Sequence, residues 1–231
     1  PKLGWEADIR QIRELGIPAV ACQLLAETRK KLEPDQYLES IEKSDIKWKT
    51  FFDGDYPKLL KQIYDPPIVF YYKGEILPRD QKAIAVVGTR KITGYGMTVT
   101  EDFTKGLVAA GLTIVSGLAH GVDTVSHQTA LSENGRTLAV LGGCLNKIFP
   151  PENTRLAMEI ADGHGAILTE FPPDYPSVAG NFPARNRIVA ALCKEVIIVE
   201  AAQNSGSLIT ARLALKLKRE LWAVPGPITS R

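Results

Sequence analysis

From residue 83 onward, short runs in which nearly every position is apolar alternate with longer stretches whose apolar positions fall at helical spacing. The runs are Ala83–Val87, Leu112–Val115, Thr137–Leu141, Ala166–Leu168, Val196–Val199 and Leu221–Val224. The stretches between them predict helices over 95–110, 121–134, 152–162, 184–192 and 206–218. A strand apolar on both faces is a strand buried on both faces. Strands that alternate with helices join through right-handed crossovers into a parallel sheet. Residues 83–231 are therefore expected to form an α/β domain around a doubly wound, mostly parallel sheet. In such sheets ligands lie beyond the carboxyl ends of the strands, so candidate chemistry is sought there.

The front of the chain has a different rhythm. Ile9, Ile12 and Leu15 share one helical face, Leu15-Gly16-Ile17-Pro18 breaks the run, and Pro18 is placed to start the next helix, Ala19 to Leu25. Pro34 to Ile41 predicts a third short helix. Residues 1–45 thus read as a small helical domain, of SAM or helix–hairpin–helix kind. Two helices joined by a Gly-containing turn fit a phosphate-binding hairpin and an ordinary small bundle alike. Residues 46–82 read as a linker segment leading into the core. Asp53-Gly54-Asp55 and Asp65-Pro66-Pro67 are its turn signals, and Ile68–Tyr72 is a β-branched and aromatic strand ended by Gly74.

Composition narrows the chemistry. The chain has 231 residues, 45% hydrophobic and 23% charged, enough for a packed core. No apolar run reaches the roughly 18 residues of a membrane span, and no secretion signal opens the chain. Lacking an initiator Met, it is expected to be incomplete at its front. Cys22, Cys144 and Cys193 are far apart, form no metal spacing and suit a reducing cytoplasm. His120, His127 and His164 do not cluster with carboxylates, which argues against a zinc hydrolase. Net charge is zero over residues 1–82 and +2 over 83–231. No global basic field exists, so a polyanion must be held by local placement.

At the strand ends, small residues and cations gather. Gly88-Thr89-Arg90 opens a Gly-rich turn that matches neither a dinucleotide fingerprint nor a Walker A loop. It brings a cation to the ligand edge, although such turns also serve packing alone. Ser116-Gly117-Leu118-Ala119-His120-Gly121-Val122-Asp123 leaves room for close backbone approach, with Asp123 either complementing a helix dipole or touching a ligand. Lys147 and Phe149 read equally as phosphate and base contacts or as a solvated lysine beside a core Phe. Arg185, Asn186 and Arg187 sit in the first turns of a helix, where cations oppose the dipole unless an anion binds. Ser205 and Gly206 begin the last helix, as phosphate contacts or as its cap. Ser116, His120 and Asp123 crowd one turn and cannot face each other as a triad, so no catalytic set is seen.

Together these blocks resemble the DprA/Smf family, bacterial DNA-processing proteins of natural transformation. The resemblance rests on Val87–Arg90, Ser116–Asp123, Phe149-Pro150 with Asn153, Phe182–Ile188, Glu200-Ala201, Ser205–Ala211 and Ala223–Gly226, with Asp55-Tyr56-Pro57 and Asp65-Pro66-Pro67 upstream. It implies an extended Rossmann-like domain that binds single-stranded DNA without a cofactor, dimerises, and hands the strand to the RecA recombinase. The implied DNA surface comprises Gly88, Thr89, Arg90, Ser116, Gly117, Ala119, Gly121, Lys147, Phe149, Arg185, Asn186, Arg187, Ser205 and Gly206. Family members continue past the Pro225-Gly226 turn, often into a winged helix, so the C-terminal end is expected to be incomplete. The competing expectation is a nucleoside-monophosphate phosphoribohydrolase of the LOG-like group, whose double-glycine turn is missing at Asn204–Ser207. A purely structural domain would leave Arg90, Arg185 and Arg187 unexplained.

Overall fold

The structure, a computed structural model, describes residues 2–203 and 205–226. Asn204, part of the turn after the Val196–Val199 run, lies outside the described residues, as do residues 227–231. The chain divides into two compact units after Asp45.

The first unit holds α1 (Lys2–Glu6), α2 (Ile9–Glu14), α3 (Ala19–Lys31) and α4 (Pro34–Lys43). Asp8 caps α2 by accepting from the Arg10 amide at 2.7 Å. Gly16 takes φ +86° in the turn that separates α2 from α3, a conformation costly for residues with a Cβ. Arg29 ties α3 back to the start of the unit, donating at 2.8 Å to the carbonyls of both Gly4 and Ala7. Its guanidinium stands over the Trp5 ring, 5.8 Å from the centroid.

The second unit contains β1 (Lys47–Thr50), α5 (Lys58–Lys61), β2 (Val69–Gly74), β3 (Ala83–Val87), α6 (Gly94–Ala109), β4 (Thr113–Ser116), α7 (Val122–Ser132), β5 (Thr137–Val140), α8 (Thr154–Glu159), β6 (Gly165–Thr169), α9 (Asn181–Leu192), β7 (Glu195–Ile198), α10 (Gly206–Lys216) and β8 (Glu220–Ala223). The eight strands form one sheet in the order β1-β2-β6-β5-β4-β3-β7-β8. β3 to β8 run parallel, while β1 and β2 are antiparallel. The α/β, mostly parallel architecture expected from the apolar runs is present. Alternate residues of β3 explain the unbroken run. Ala83, Ala85 and Val87 face the cluster of Val115, Leu138 and the α9 residues Ile188–Leu192, whereas Ile84 and Val86 face Ile114, Val122 and Ala130.

Residues 46–82 are no linker. Tyr56, Leu60, Ile63 and Phe70 belong to the same buried cluster as α9, and β1 and β2 extend the sheet. Leu60 and Phe70 are fully buried, each stabilising the unit by about 1.5–3 kcal/mol. β1 escapes a periodicity reading because Lys47-Trp48-Lys49-Thr50 is a polar edge strand with no fully buried residue. At the amino-terminal ends of the parallel strands, Asp80 and Arg136 form a buried pair. Nε and Nη2 of Arg136 each donate at 2.8 Å to the carboxylate, which also accepts from Thr113 Oγ1 at 2.9 Å and the Leu77 amide at 2.7 Å.

Candidate nucleic-acid interface

The strand order reverses between β3 and β7. From β3 the chain proceeds outward through β4, β5 and β6, then returns to place β7 on the other side. Such a switch point leaves a crevice where the loops part in opposite directions. A cavity of about 710 Å³ opens there, lined by Gly88–Lys91 after β3, Gly117 and Ala119 after β4, Phe182, Pro183, Arg185 and Asn186 of α9, and Glu200–Ala202 with Ser205–Ser207 before and at the start of α10. The amino-terminal ends of α9 and α10 both border it, so the positive ends of two helix dipoles lie beside the same space.

The floor is a buried cation and a buried carboxylate that hold the two backbone groups of one residue, Gly117. Arg185 is only 4% exposed and Asp123 only 7%. Arg185 Nη1 donates to the carbonyls of Gly117 and Val140, and its Nε donates to Asn186 Oδ1 at 3.2 Å. Asp123 Oδ2 accepts from the amides of Gly117 at 3.1 Å and Ala119 at 3.3 Å. The peptide groups before and after the Gly117 Cα are therefore each held by one of the two side chains. An added Cβ at position 117 would lie 2.6 Å from the guanidinium, so a side chain there would displace Arg185 from its buried position. Burial raises the Asp123 carboxyl above its ordinary range, while Arg185 opposes that shift. Burial likewise lowers Arg185 to about 10, with Asp123 pulling it up and Arg90 pushing it down. Neither the two amides nor Ser116, whose Oγ donates to Val86 O at 2.7 Å, is open to a ligand. This turn is built to be rigid, with its donors directed inward.

The turn after β3 is braced differently. The Thr89 amide donates to Glu200 O at 2.6 Å, and Thr89 O accepts from the Val122 amide at 3.2 Å. Gly121, at φ +76°, packs so closely on the Thr89 carbonyl that a side chain is excluded. An added Cβ on Gly88 would meet Val122 at 2.5 Å. Glu200 turns its carboxylate away to accept from Thr93 N at 3.1 Å and Thr93 Oγ1 at 3.3 Å at the start of α6. Both carboxylates bordering the cavity are thus occupied by backbone or hydroxyl donors. Arg90 and Lys91 stand exposed at its rim, with no protein partner for either side-chain charge among the described residues.

The remaining expected residues divide. Asn186, Ser205 and Gly206 line the cavity. Ser205 caps α10 by accepting from the Ser207 amide at 3.3 Å, and Asn186 Nδ2 donates to Gly206 O at 3.3 Å. Arg187 points elsewhere. It makes two 2.6 Å bonds to the Glu170 carboxylate and a 3.3 Å ion pair with Asp65, which raise its pKa. Lys147 and Phe149 lie outside the cavity wall. Lys147 is exposed, and Phe149 is 51% exposed, so it is no core residue. Its ring packs on Phe182, 5.3 Å between centroids, and Phe182 itself lines the cavity.

Residues 47–231 match the family described as DNA recombination-mediator protein A. The chain belongs to that family. It is 43% identical to Protein Smf of Synechocystis sp. over 201 residues, which is 85% of this chain and 50% of that protein. Its fold superposes on the X-ray structure of DNA processing protein A from Streptococcus pneumoniae with a TM-score of 0.86 and 36% identity, covering 97% of this chain and 78% of that one. A second solved structure, reporting the single-stranded DNA binding mode of DNA processing protein A from Helicobacter pylori, matches with a TM-score of 0.72 and 34% identity, covering 80% of this chain and 83% of that one. The chain spans about half the length of the curated relatives it matches.

Two cavity residues of this family member escaped the sequence reading. Lys91 was signalled by its neighbour Arg90 in the same turn. Phe182 stands in the block Phe182–Ile188, where the cations drew attention and the aromatic did not. Among the described residues, the crevice presents two cations without a protein partner, Arg90 and Lys91, the amino-terminal ends of two helices and one aromatic face, that of Phe182. Cations beside an aromatic face are the chemistry that suits anions carrying flat apolar groups.

Proposed function

We propose that the chain binds single-stranded DNA with little sequence preference, laying the phosphates along Arg90 and Lys91 and the amino-terminal ends of α9 and α10. The observation that carries this reading is the charge pattern of the crevice. Asp123 is buried and accepts from the Gly117 and Ala119 amides, Glu200 Oε2 accepts from Thr93, and neither pairs with Arg90 or Lys91, whose charges have no protein partner among the described residues. Lys147 extends the basic path, and Phe149 leans on Phe182 as an exposed platform for a base. Arg185 acts beneath the path by holding the Gly117 turn, and Arg187 serves the Glu170 ion pair rather than the strand. The Helicobacter relative, whose single-stranded DNA binding mode has been described, supports the reading. The chain works by binding and not by catalysis.

The family resemblance extends the proposal. A bacterial cytoplasmic homodimer formed through the Rossmann-like domain protects incoming DNA and loads RecA recombinase onto it during natural transformation. Fluorescence anisotropy with labelled oligo-dT tests the core of this. Three cations on the strand predict that log K falls against log salt with a slope of about −2. Duplex of equal length binding as tightly as oligo-dT overturns it. Release of free adenine from AMP would instead establish the phosphoribohydrolase reading.

A further inference from the structure

At the opposite edge of the sheet from the DNA crevice lies a second cavity, of about 510 Å³. Its walls come from the turn into α5, the segment 76–82 before β3, and the end of α9 before β7. Lys82 precedes β3 and Lys194 precedes β7. These strands are parallel neighbours with Ile84 opposite Glu195, so the two lysines emerge side by side where the strands begin. Lys58, at the start of α5, joins them on the rim, and all three are exposed. The two carboxylates on the lining do not offset them. Asp55 is paired with Lys49, and Asp80 is buried against Arg136. None of the three lysines has an acidic partner among the described residues, which leaves a local excess of three positive charges.

Between the lysines the wall is aliphatic, with Pro57, Leu77 and Pro78 half-buried or exposed. The one aromatic on the lining, Tyr56, is buried, with its hydroxyl donating to Pro67 O at 2.7 Å. A nucleic-acid strand would therefore find charges but no face on which to stack its bases. A peptide that alternates carboxylates with aliphatic side chains would satisfy both features, since apolar side chains fill the floor while the acids meet the rim.

We infer that this groove is a docking site for an acidic, apolar peptide segment of a partner protein, separate from the DNA crevice. The proposal does not rest on the DNA-binding reading. A fluorescein-labelled octapeptide of alternating Asp and Leu is titrated into the intact protein, with an octapeptide of Asp and Ser as control. The expected result is micromolar binding of the first, at least about tenfold weaker binding of the second, and weakening of both at high salt. The triple reversal Lys58→Glu, Lys82→Glu, Lys194→Glu is expected to lose peptide binding by at least about tenfold while oligo-dT affinity stays unchanged. Because this variant carries a large charge change, Lys82→Glu alone is measured beside it, with a thermal midpoint for each, and should lose about threefold. Equal binding of the two peptides, peptide binding that survives in the reversed variants, or oligo-dT binding that falls with them would each overturn the proposal.

Discussion

Two buried arginine–aspartate arrangements sit at opposite edges of one sheet. At the amino-terminal edge, Arg136 and Asp80 touch directly through two 2.8 Å bonds, while the carboxylate also accepts from Thr113 and Leu77 and Arg136 Nη2 also donates to the Glu75 carbonyl. At the carboxyl edge, Arg185 and Asp123 hold the carbonyl and amide sides of Gly117 instead of each other. The first is a closed pair, where the Coulomb attraction offsets desolvation of both charges. In the second, part of the hydrogen-bonding capacity of each partner goes to shaping a loop. The pair that completes itself locks the start of the sheet. The pair that reaches around a peptide stiffens the edge where a ligand arrives.

The largest break in this comparison is expected at the closed pair. Asp80→Ala leaves Arg136 buried without its counterion and should cost about 3–5 kcal/mol in urea unfolding. Replacing both, Asp80→Leu with Arg136→Met, should restore much of that loss. If the single and double variants lose equally, the pair matters for its packing and not for its charge.

The second break uses acid on a buried histidine of α7, between the two edges. His127 is fully buried, its Nδ1 2.6 Å from Thr137 Oγ1, and since Thr137 donates to Ile114 O the ring nitrogen must be the donor. Burial first, and the charge of Arg185 second, lower its pKa to about 3. The unfolded chain takes up a proton near its ordinary value of about 6.5, while the folded chain does so only near 3. Between those values the unfolded state binds more protons, so stability falls as pH falls, by up to about 1.4 kcal/mol per pH unit from this residue. His127→Asn, which keeps a donor toward Thr137, should flatten that slope in denaturant titrations at pH 6.5 and 4.5. A slope that is unchanged assigns the acid sensitivity to other groups.

A smaller effect separates binding from stability. Arg90→Ala should weaken oligo-dT binding by about 1.5–3 kcal/mol, the worth of a charge-assisted hydrogen bond. Its unfolding midpoint should hardly move, because an exposed cation contributes little to the fold. A fallen midpoint with intact affinity would make Arg90 structural. Arg187→Gln should show the opposite balance, with oligo-dT affinity held and a modest loss of stability from the Glu170 pair.

The smallest expected change is at the aromatic rim. Phe149→Leu should reduce oligo-dT affinity by about 1 kcal/mol, at the low end of base stacking, because Phe182 beneath it remains. A half-exposed ring is a minor part of the core, so the melting curve should stay in place. Unchanged affinity would move the base contacts to another part of the crevice.

What the sequence determined by itself is everything that depends on local pattern. Runs such as Ala83–Val87 had to be strands covered on both faces, because a strand with no polar side cannot face water, and their alternation with helices dictated a parallel sheet. That ligands would be sought at the carboxyl ends of the strands, with Arg90 among the candidates there, followed from that alternation, whereas the strand order that opens a crevice between β3 and β7 did not. What each cation does there depends on its neighbours in the folded chain. Arg185, Arg187 and Arg90 look alike in sequence. Burial under Gly117 turned the first into a brace, Asp65 and Glu170, 122 and 17 residues away, claimed the second, and none of the described residues claimed the third. The same holds for β1, whose polar residues become a strand only because β2 supplies the partner for its backbone. Local patterning specifies which face of an element avoids water, but a charge takes its role from the nearest opposite charge or carbonyl in space, and that neighbour is set by the fold as a whole.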